Sequence, residues 1–471
     1  MDHPHIFHRR PRRGDAIVRD AHGRPANHAE STSDLRSLRA RFTQRGGTVE
    51  ACSTRSNGGC SPRWSGGWRQ RASSSSTAPR QAGKSWLLRN VAEQVDARYV
   101  SLDVTSDLRA ARVDPAGFVQ RDQRPLFIDE VQRGGDPLVL AIKAAVDLSD
   151  ERGQFALAGS TRFLTEPRLS ESLAGRARFV DLWPLSQGEI DGLTNGDRFV
   201  DACIDGFDGL AALGQVAPPA ERRDVFARVL RGGFPEAVLA ASDRDRADFL
   251  ADYVRTISQR DIAELGRITD RVDLPKVLRL LAARSASELN VSDLANDAGL
   301  GPDTTRRYLP LVDAIFLLHR LPVWSRSATS RTKRRPKIHL TDTGLAAWLA
   351  RIRPDALDRP GHPLDGALLE SFVVNELMRQ AGWSREPVSL AHWRDRNGRE
   401  VDVIVETGDR NIVGIEVKAA VEVTEGDVPH LAYLRDAVGP DFVAGVVLHL
   451  GTRLRRFGDR LLAMPITALW S

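Results

Sequence analysis

The sequence of 471 residues predicts an α/β protein whose first folded region is built on a parallel sheet. From residue 86 to residue 182, short apolar runs alternate with amphipathic stretches, which is typical of parallel strands covered by helices on both faces. A loop ending in Gly83-Lys84-Ser85 opens this region, and the apolar run Leu126-Phe127-Ile128 ends in two acidic residues. These observations predict an α/β core with a phosphate-binding loop.

The predicted elements of this core are short. Strands are expected at residues 99–103, 125–129, 154–160 and 178–182, and helices at residues 86–95 and 136–147. The strands are rich in apolar residues throughout, as in sheets that are buried on both faces.

The loop at residues 78–85 reads Ala-Pro-Arg-Gln-Ala-Gly-Lys-Ser and predicts contacts to a nucleotide. Backbone N–H groups of such a loop point at phosphate oxygens near a helix N-terminus. We expect Lys84 to neutralise the β- and γ-phosphates and the Ser85 hydroxyl to bind Mg²⁺. The predicted nucleotide-binding residues of the loop are Arg80, Gln81, Ala82, Gly83, Lys84 and Ser85.

The acidic pair at the end of the apolar run completes a two-part signature. Asp129 is expected to hold the same Mg²⁺ from the end of a buried strand, and Glu130 to orient or deprotonate the attacking water. The loop together with an Asp-Glu pair at the end of a strand indicates a P-loop ATPase much more specifically than the loop alone does. The sequence therefore predicts ATP and Mg²⁺ as ligands of a P-loop ATPase.

Two features before Pro79 depart from that signature. Ala78 stands where the motif has glycine, and the run of Ala, Ser and Thr at residues 72–77 is not expected to form a core strand. Residues 1–78 contain 14 Arg, no Lys and 6 acidic residues, and predict a basic, disordered leader. With GC-rich codons, reading residues 72–79 one base earlier gives Val-Val-Val-Val-Asp-Gly-Pro, which suggests a frameshift.

Four segments of the chain carry a family resemblance. They are Phe-Ile-Asp-Glu-Val-Gln at 127–132, Ala-Gly-Ser at 158–160, Glu-Ser-Leu-Ala-Gly-Arg at 171–176 and Leu-Trp-Pro-Leu-Ser at 182–186. Residues 79–471 thereby resemble the prokaryotic AAA-superfamily ATP-binding proteins that are fused to a C-terminal domain of unknown function. The resemblance implies an AAA-type core at 79–215 and a helical lid at 216–285.

The same resemblance implies roles for two further residues of the core. Ser160 is expected at the sensor position, where a polar side chain contacts the γ-phosphate. Arg176 is expected to act as an arginine finger or a second sensor, because a guanidinium stabilises charge on a transferred phosphoryl group. The alternative for Arg176 is a surface salt bridge.

The middle region, residues 286–350, has the spacing of a winged helix-turn-helix. Ser292 is the expected N-cap of the first helix, Gly299 ends it, and a second helix begins near Thr304. Wing strands are expected at 315–321 and 337–340, with a basic loop between them. The predicted DNA-binding residues are Arg306, Arg307, Lys333, Arg334 and Arg335. The alternative is a winged helix that packs only against protein.

In the last region, residues 362–471, Asp402 on one predicted strand is followed by Glu416-Val417-Lys418 on the next. These residues resemble the active-site core of restriction-endonuclease-like nucleases, which implies a mixed α/β domain. By this resemblance Asp402 and Glu416 are the expected Mg²⁺ ligands, and Lys418 activates water or stabilises the charged phosphorane. Glu370, on a predicted helix, is the candidate third acid. The alternative is a fold kept for binding, in which Asp402 and Glu416 form ion pairs with Lys418 or Arg399.

Composition limits the remaining function classes. The sequence has no apolar run near the ~20 residues that span a bilayer and no secretory signal at its start, so we expect a cytoplasmic protein without a membrane partner. Three cysteines make no metal-binding pattern. The net charge of the chain is +5, and the leader supplies +8 of it, so residues 79–471 carry −3. Tight nonspecific binding of these residues to DNA is therefore not expected.

The function expected from all these observations is an ATP-binding protein, a Mg²⁺-dependent AAA-type ATPase that couples nucleotide state to a DNA-associated C-terminal module. The alternatives are a DNA-binding or nuclease-like protein, or a regulatory interaction scaffold, with an inactive phosphate loop. Expected partners are ATP, DNA, and a second copy of the chain or another protein.

Overall fold

The computed structural model describes most of the chain from residue 73 onward. The described residues are 73–77, 79, 81–120, 125–149, 151–159, 176–193, 196–261, 274–327, 331 and 334–471. The leader before residue 73, predicted to be disordered, lies outside the described residues.

A five-stranded parallel sheet forms the first core, in the order β2-β3-β4-β1-β5. Strands β3 and β4 are buried along their whole length, which explains their continuous apolar sequence. The elements in chain order are β1 (Ser73–Thr77), α1 (Lys84–Gln94), β2 (Arg98–Ser101), α2 (Thr105–Val113), α3 (Pro115–Gln120), β3 (Leu126–Asp129), α4 (Gly135–Asp147), β4 (Phe155–Gly159) and β5 (Ala177–Asp181).

The serine run forms a strand, contrary to our expectation. β1 lies inside the sheet, where Ser73 pairs in register with Phe155 of β4 on one side and with Ala177 of β5 on the other. A strand between two neighbours has its backbone N–H and C=O groups satisfied on both sides. Tertiary pairing of this kind overrides the low strand propensity of serine. The described part of the first core therefore includes residues 73–77, which we had not expected to form a core strand.

A group of helices follows the sheet and includes the predicted lid. Ser186 caps the first of them through a capping box with Glu189. Gly232, with φ of +71°, ends the long helix that begins at Arg222. The helices are α5 (Gln187–Asp191), α6 (Phe199–Ile204), α7 (Gly206–Val216), α8 (Arg222–Arg231), α9 (Pro235–Val238), α10 (Asp243–Thr256) and α11 (Leu274–Ala283), with a π-helical turn at Ile257–Asp261.

In its described residues, the middle region has three helices and a three-stranded antiparallel sheet. The sheet order is β6-β8-β7. Asn290, and not the expected Ser292, caps the first helix, because its Oδ1 accepts the N–H groups of Ser292 and Asp293. The elements are β6 (Ser287–Glu288), α12 (Val291–Ala298), α13 (Pro302–Ala314), β7 (Leu318–Leu321), β8 (Lys337–Leu340) and α14 (Thr343–Leu349).

The C-terminal region is a mixed six-stranded sheet in the order β13-β14-β12-β11-β10-β9. The long helix α15 packs against this sheet and against α14. The elements are α15 (Asp365–Ala381), β9 (Ser389–Arg394), β10 (Glu400–Glu406), β11 (Ile412–Lys418), α16 (Pro429–Val438), β12 (Phe442–His449), β13 (Arg455–Arg456) and β14 (Leu461–Pro465).

The hydrophobic cores divide the described residues into two main bodies. One cluster spans the first sheet, from Val100 to Ala177. A much larger cluster runs from Phe199 to Trp470 and includes residues of the helical group, the middle sheet and the C-terminal sheet. The regions predicted as lid, winged helix and nuclease-like domain thus share one continuous core. Among the described residues, none of the helices is long and apolar enough to cross a membrane.

Candidate functional site

Two described residues of the loop between β1 and α1 have left-handed backbone conformations. Gln81 and Gly83 have φ of +60° and +96°, and at Gly83 a side chain would be strained in this conformation. Helix α1 begins at Lys84 with no side-chain cap among the described residues. A helix N-terminus is the kind of position at which backbone N–H groups bind anions.

The side chain of Lys84 contacts the backbone of this loop. Its side chain is only 7% exposed, and its Nζ donates a hydrogen bond to the Pro79 carbonyl oxygen at 3.0 Å. The next residue, Ser85, is exposed at the start of the helix. The predicted ligand Arg80 lies outside the described residues, as does Ala78.

Asp129 ends β3 at the edge of the sheet where the loop lies. All five strands are parallel, so the carboxyl ends of β1 and β3 meet at one edge, where open α/β sheets bind ligands. Asp129 is 2% exposed, and its Oδ2 accepts a hydrogen bond from the Tyr99 hydroxyl at 3.1 Å. The sequence reasoning missed Tyr99, because its strand β2 carries no motif.

Glu130 has the environment of a general base. Its backbone is in the left-handed region with φ of +53°, a conformation that non-glycine residues adopt mainly at special sites. The pKa of Glu130 is raised by burial and by the charge of Asp129, and it is lowered in part by Gln132 and Lys84. Gln132 donates a hydrogen bond to Glu130 Oε2. Sequence reasoning had assigned Gln132 no role.

Arg176 lies at the opposite edge of the sheet from the phosphate loop of its own chain. It directly precedes β5, whose first residue Ala177 is in register with the first residue of β1. Four residue steps along a strand are about 13 Å, and the side chain pairs with Asp147 at the end of α4. The side chain thus forms the surface salt bridge that we considered as the alternative, and its role as an arginine finger or second sensor stays a prediction. Ser160, the predicted sensor, lies outside the described residues.

The predicted DNA-binding arginines do not form one patch of free charge. Arg306 pairs with Asp303 at 2.8 Å, and Arg334 donates to the Arg394 carbonyl oxygen. Arg331, in the same basic loop, forms two hydrogen bonds with Glu406, at 2.7 and 2.8 Å. Arg307 and Arg335 are exposed, and Lys333 lies outside the described residues.

The predicted nuclease residues are close together but engaged with lysines. Asp402 Oδ1 lies 3.3 Å from the ammonium of Lys337, and Glu416 Oε2 lies 3.3 Å from that of Lys418. Glu370 also pairs with Lys337, at 2.8 Å. Within the described parts of the chain, no three His, Cys, Asp or Glu side chains are arranged to hold a metal ion. In this structure Asp402 and Glu416 are each paired with a lysine, and their role as Mg²⁺ ligands stays a prediction.

The sequence analysis gave, as the alternative to a metal site, ion pairs of Asp402 and Glu416 with Lys418 or Arg399. Glu416 does pair with Lys418, as that alternative requires. Arg399 instead pairs with Asp395 at 2.9 Å and stacks its guanidinium on the Tyr433 ring. The partner of Asp402, Lys337, comes from the middle sheet and was missed, because nothing in the local sequence connects residue 337 to residue 402.

Comparison with protein families identifies the first core. Residues 77–191 match a family described as an AAA domain. The chain contains an AAA domain. Its C-terminal part, residues 365–469, matches a domain of unknown function, DUF4143, and residues 222–356 match another, DUF8612. The match confirms that the first core is of the AAA type, whereas its predicted bounds at residues 79–215 stay a prediction.

Two curated relatives cover most of the chain. Uncharacterised proteins of Mycobacterium bovis and Mycobacterium tuberculosis are each 29% identical over 343 residues, which are 73% of this chain and 69% of the relative. Among solved structures, a Walker-type ATPase of Pyrococcus abyssi is 12% identical and covers 62% of this chain and 94% of its own, with a TM-score of 0.36. The RuvB Holliday junction branch migration motor of Thermotoga maritima is 18% identical over 63% and 90%, with a TM-score of 0.25.

The residues of the AAA domain fit Mg²⁺. A carboxylate and a hydroxyl are oxygen donors of the kind that Mg²⁺ binds together with substrate phosphates. Asp129 supplies the carboxylate at the end of β3, and Ser85 supplies an exposed hydroxyl at the start of α1. Asp129 is buried and keeps a second polar partner in Tyr99, which fixes the orientation of the carboxylate.

Proposed function

We propose that the AAA domain binds Mg²⁺-ATP in the loop at residues 79–85 and hydrolyses it. One observation supports this proposal above the others. Lys84 opens the helix that follows β1, and Asp129 and Glu130 stand at the end of the parallel strand β3, so the three groups lie at the same edge of the sheet. A cation, a metal-binding carboxylate and a base in one place are the components that phosphoryl transfer to water requires.

Each residue has a separate task in the proposed reaction. The loop N–H groups and the Lys84 ammonium bind the phosphate oxygens and stabilise their charge. Asp129, held by Tyr99, and Ser85 supply the oxygen ligands of Mg²⁺, which neutralises phosphate charge when bound. Glu130 accepts a proton from the attacking water, and its raised pKa places it nearer to neutral pH than an ordinary glutamate.

Contacts between the AAA domain and the second body support coupling of nucleotide state to the rest of the chain. A side-chain carbon placed on Gly83 would meet Pro235 Cγ at 4.0 Å, so the phosphate loop faces the break between α8 and α9. In that break, Gly233 N–H donates to Asp342 Oδ2 at 2.6 Å, and its carbonyl accepts from Leu185 N–H at 2.8 Å. Asp342 is the N-cap of α14. The phosphate loop is therefore connected to α14 through Pro235 and Gly233.

DNA as the partner of the second body stays a prediction. Its support is limited to the exposed Arg306, Arg307 and Arg335 beside a helix pair of suitable spacing. We do not extend the proposal to DNA cleavage, because the carboxylates predicted for it are paired with lysines.

Phosphate release from ATP tests the proposal on the full chain. Glu130→Gln should lower turnover by roughly 10²- to 10⁴-fold, the usual contribution of a general base, while ATP binding is kept. The matched control is Glu93→Gln, which makes the same change at an exposed position of α1 and should leave the rate unchanged. Equal turnover by the wild type and Glu130→Gln would remove Glu130 from the mechanism.

A further inference from the structure

A cleft of about 1510 Å³ lies where helices α8 and α10 meet α14. Small-molecule sites usually have volumes of about 300–1,000 Å³, so this cleft has room for a ligand of drug size or larger. Its lining includes none of the described residues of the loop at 79–85 and neither Asp129 nor Glu130. The cleft is therefore separate from the proposed nucleotide site.

Part of the cleft wall is apolar. Leu193 and Val216 line the cleft, and they are 39% and 70% exposed. Trp348 of α14 and the consecutive residues Pro218 and Pro219 line it as well. Apolar side chains that stay exposed together in one cleft are typical of surfaces that bind an apolar group of a ligand. The cleft therefore offers contacts to an apolar ligand body.

Most arginines of the cleft already have a negatively charged partner. Arg228 lies 2.9 Å from Asp191, and Arg246 lies 2.6 Å from Asp243. Because their charges are balanced within the chain, these side chains are not the groups that would attract an anion. Four lining arginines pair with aspartates in this way, at distances from 2.6 to 3.9 Å: Arg223, Arg228, Arg244 and Arg246.

Arg231, the last residue of α8, also lines the cleft, but no aspartate or glutamate in the described ranges forms an ion pair with it. Its Nη2 donates to the neutral Gln187 Oε1 at 3.2 Å, and its buried Nε has no acceptor among the same residues. Burial lowers the pKa of Arg231, as does the charge of Arg228, although Asp191 partly opposes them. This half-buried guanidinium therefore lacks a counterion.

The unfilled donors of Arg231 determine which chemical group fits the cleft. A guanidinium binds the oxygens of a carboxylate or a phosphate through its planar set of N–H donors. One such cation beside an apolar wall suits a ligand with one acidic group and an apolar body. A ligand with several charges is less suited, because arginines such as Arg228 and Arg246 already pair with aspartates.

We propose that this cleft binds a small organic anion in which a single carboxylate or phosphate group is attached to an apolar body. The anion pairs with Arg231 and supplies the counterion that the described residues do not. The apolar body contacts Leu193, Val216 and Trp348, where it is removed from water. Such binding does not require ATP, because the cleft and the nucleotide site have no described residue in common.

Calorimetric titration of the nucleotide-free full chain with sodium decanoate and with decyl phosphate tests this inference. The two probes present a carboxylate and a phosphate on the same alkyl chain, so the one that binds more tightly identifies the preferred acidic group. We expect a single site for that probe. Decylamine has the same chain with a positive charge, and it should not bind because Arg231 repels it.

Variants locate the binding in the cleft. Arg231→Gln removes the cation and should weaken binding of the tighter probe at least roughly tenfold. Arg255→Gln makes the same change at an exposed position of α10 outside the cleft and should leave the affinity unchanged. If Arg231→Gln does not fold, Ala227→Trp carries the test. Ala227 is exposed on the cleft wall, so the indole ring should take the space of the apolar body and weaken binding by a similar factor.

Three results would overturn the inference. The first is a wild-type chain that binds neither decanoate nor decyl phosphate. The second is a folded Arg231→Gln or Ala227→Trp protein that binds the probe as tightly as the wild type, because the ligand would then lie elsewhere. The third is decylamine binding as tight as that of the two acids, because the cleft would then not select an anion.

Discussion

At the scale of single residues, the nucleotide site depends on groups that support the motif residues. Asp129 is a ligand candidate, but its orientation is set by the Tyr99 hydroxyl at 3.1 Å. Glu130 is the candidate base, and Gln132 donates to it. Partners that hold metal ligands and bases in place commonly contribute as much as a factor of 10–100 to affinity or activity.

Tyr99→Phe tests this supporting role. The variant keeps the ring but removes the only hydroxyl seen on Asp129 Oδ2 in the described residues, so the carboxylate loses its fixed orientation. We expect the Mg²⁺ concentration that gives half-maximal ATP hydrolysis to rise roughly tenfold. Tyr433→Phe, at an exposed tyrosine, is the matched control. An unchanged Mg²⁺ dependence in Tyr99→Phe would show that Asp129 is oriented without it.

The positions of nucleotide-site residues were predictable from the sequence where a motif is local. Lys84, Asp129 and Glu130 were assigned from their own neighbours in the chain, and the structure brings them to one edge of the sheet. Lys337 could not be assigned in this way. Its partners are Glu370, Glu400 and Asp402, between 33 and 65 residues later in the sequence, and only the packing of two sheets brings them together.

At the scale of secondary-structure elements, all four strands predicted for the AAA domain lie within two residues of the observed bounds. Apolar runs such as 126–128 identify buried strands by composition alone. The run of four serines was not predicted to form a strand, although it belongs to β1, which lies between β4 and β5. No side-chain pattern marks it, because its pairing with β4 and β5 is made by backbone groups. The suggested frameshift stays a hypothesis that the nucleotide sequence would decide.

Replacing the four serines of β1 by valine tests the strand assignment. Valine is favoured over serine in a strand that has neighbours on both sides. The variant with Ser73, Ser74, Ser75 and Ser76 all changed to Val should therefore be more stable than the wild type by roughly 1 kcal/mol or more. Urea denaturation of both proteins measures the difference. A lower unfolding midpoint for the valine variant would contradict a central position for β1.

At the scale of the whole molecule, the AAA domain and the second body are linked through the segment after β5. Trp183 packs edge-on against Phe316 of the middle region, with ring centroids 5.8 Å apart. The N–H of Gln187 donates to Glu376 Oε2 at 3.0 Å. Glu376 lies fully buried on α15, where it also pairs with Arg379. The predicted five-domain division of the chain stays a prediction, although the shared core makes the last three regions one body.

Glu376→Ala tests the strength of this link. Removing one partner of a buried ion pair leaves the other charge uncompensated, which typically costs about 3–5 kcal/mol. We expect the free energy of unfolding to fall by that amount in chemical denaturation. Asp248→Ala, which breaks the exposed pair with Arg244, is the matched control and should cost less than about 1 kcal/mol. Equal effects of the two changes would show that Glu376 does not anchor the segment.

Calorimetric titration of the full chain with Mg²⁺-ATP tests the central claim most directly, with Lys84→Ala beside the wild type and Lys143→Ala as a control on α4. A bond from a cationic donor is worth about 1.5–3 kcal/mol. We therefore predict one ATP site in the wild type and the control, and an affinity lower by roughly 10- to 100-fold in Lys84→Ala. Absence of binding by the wild type, or equal binding by all three proteins, would contradict a working nucleotide site in this AAA domain.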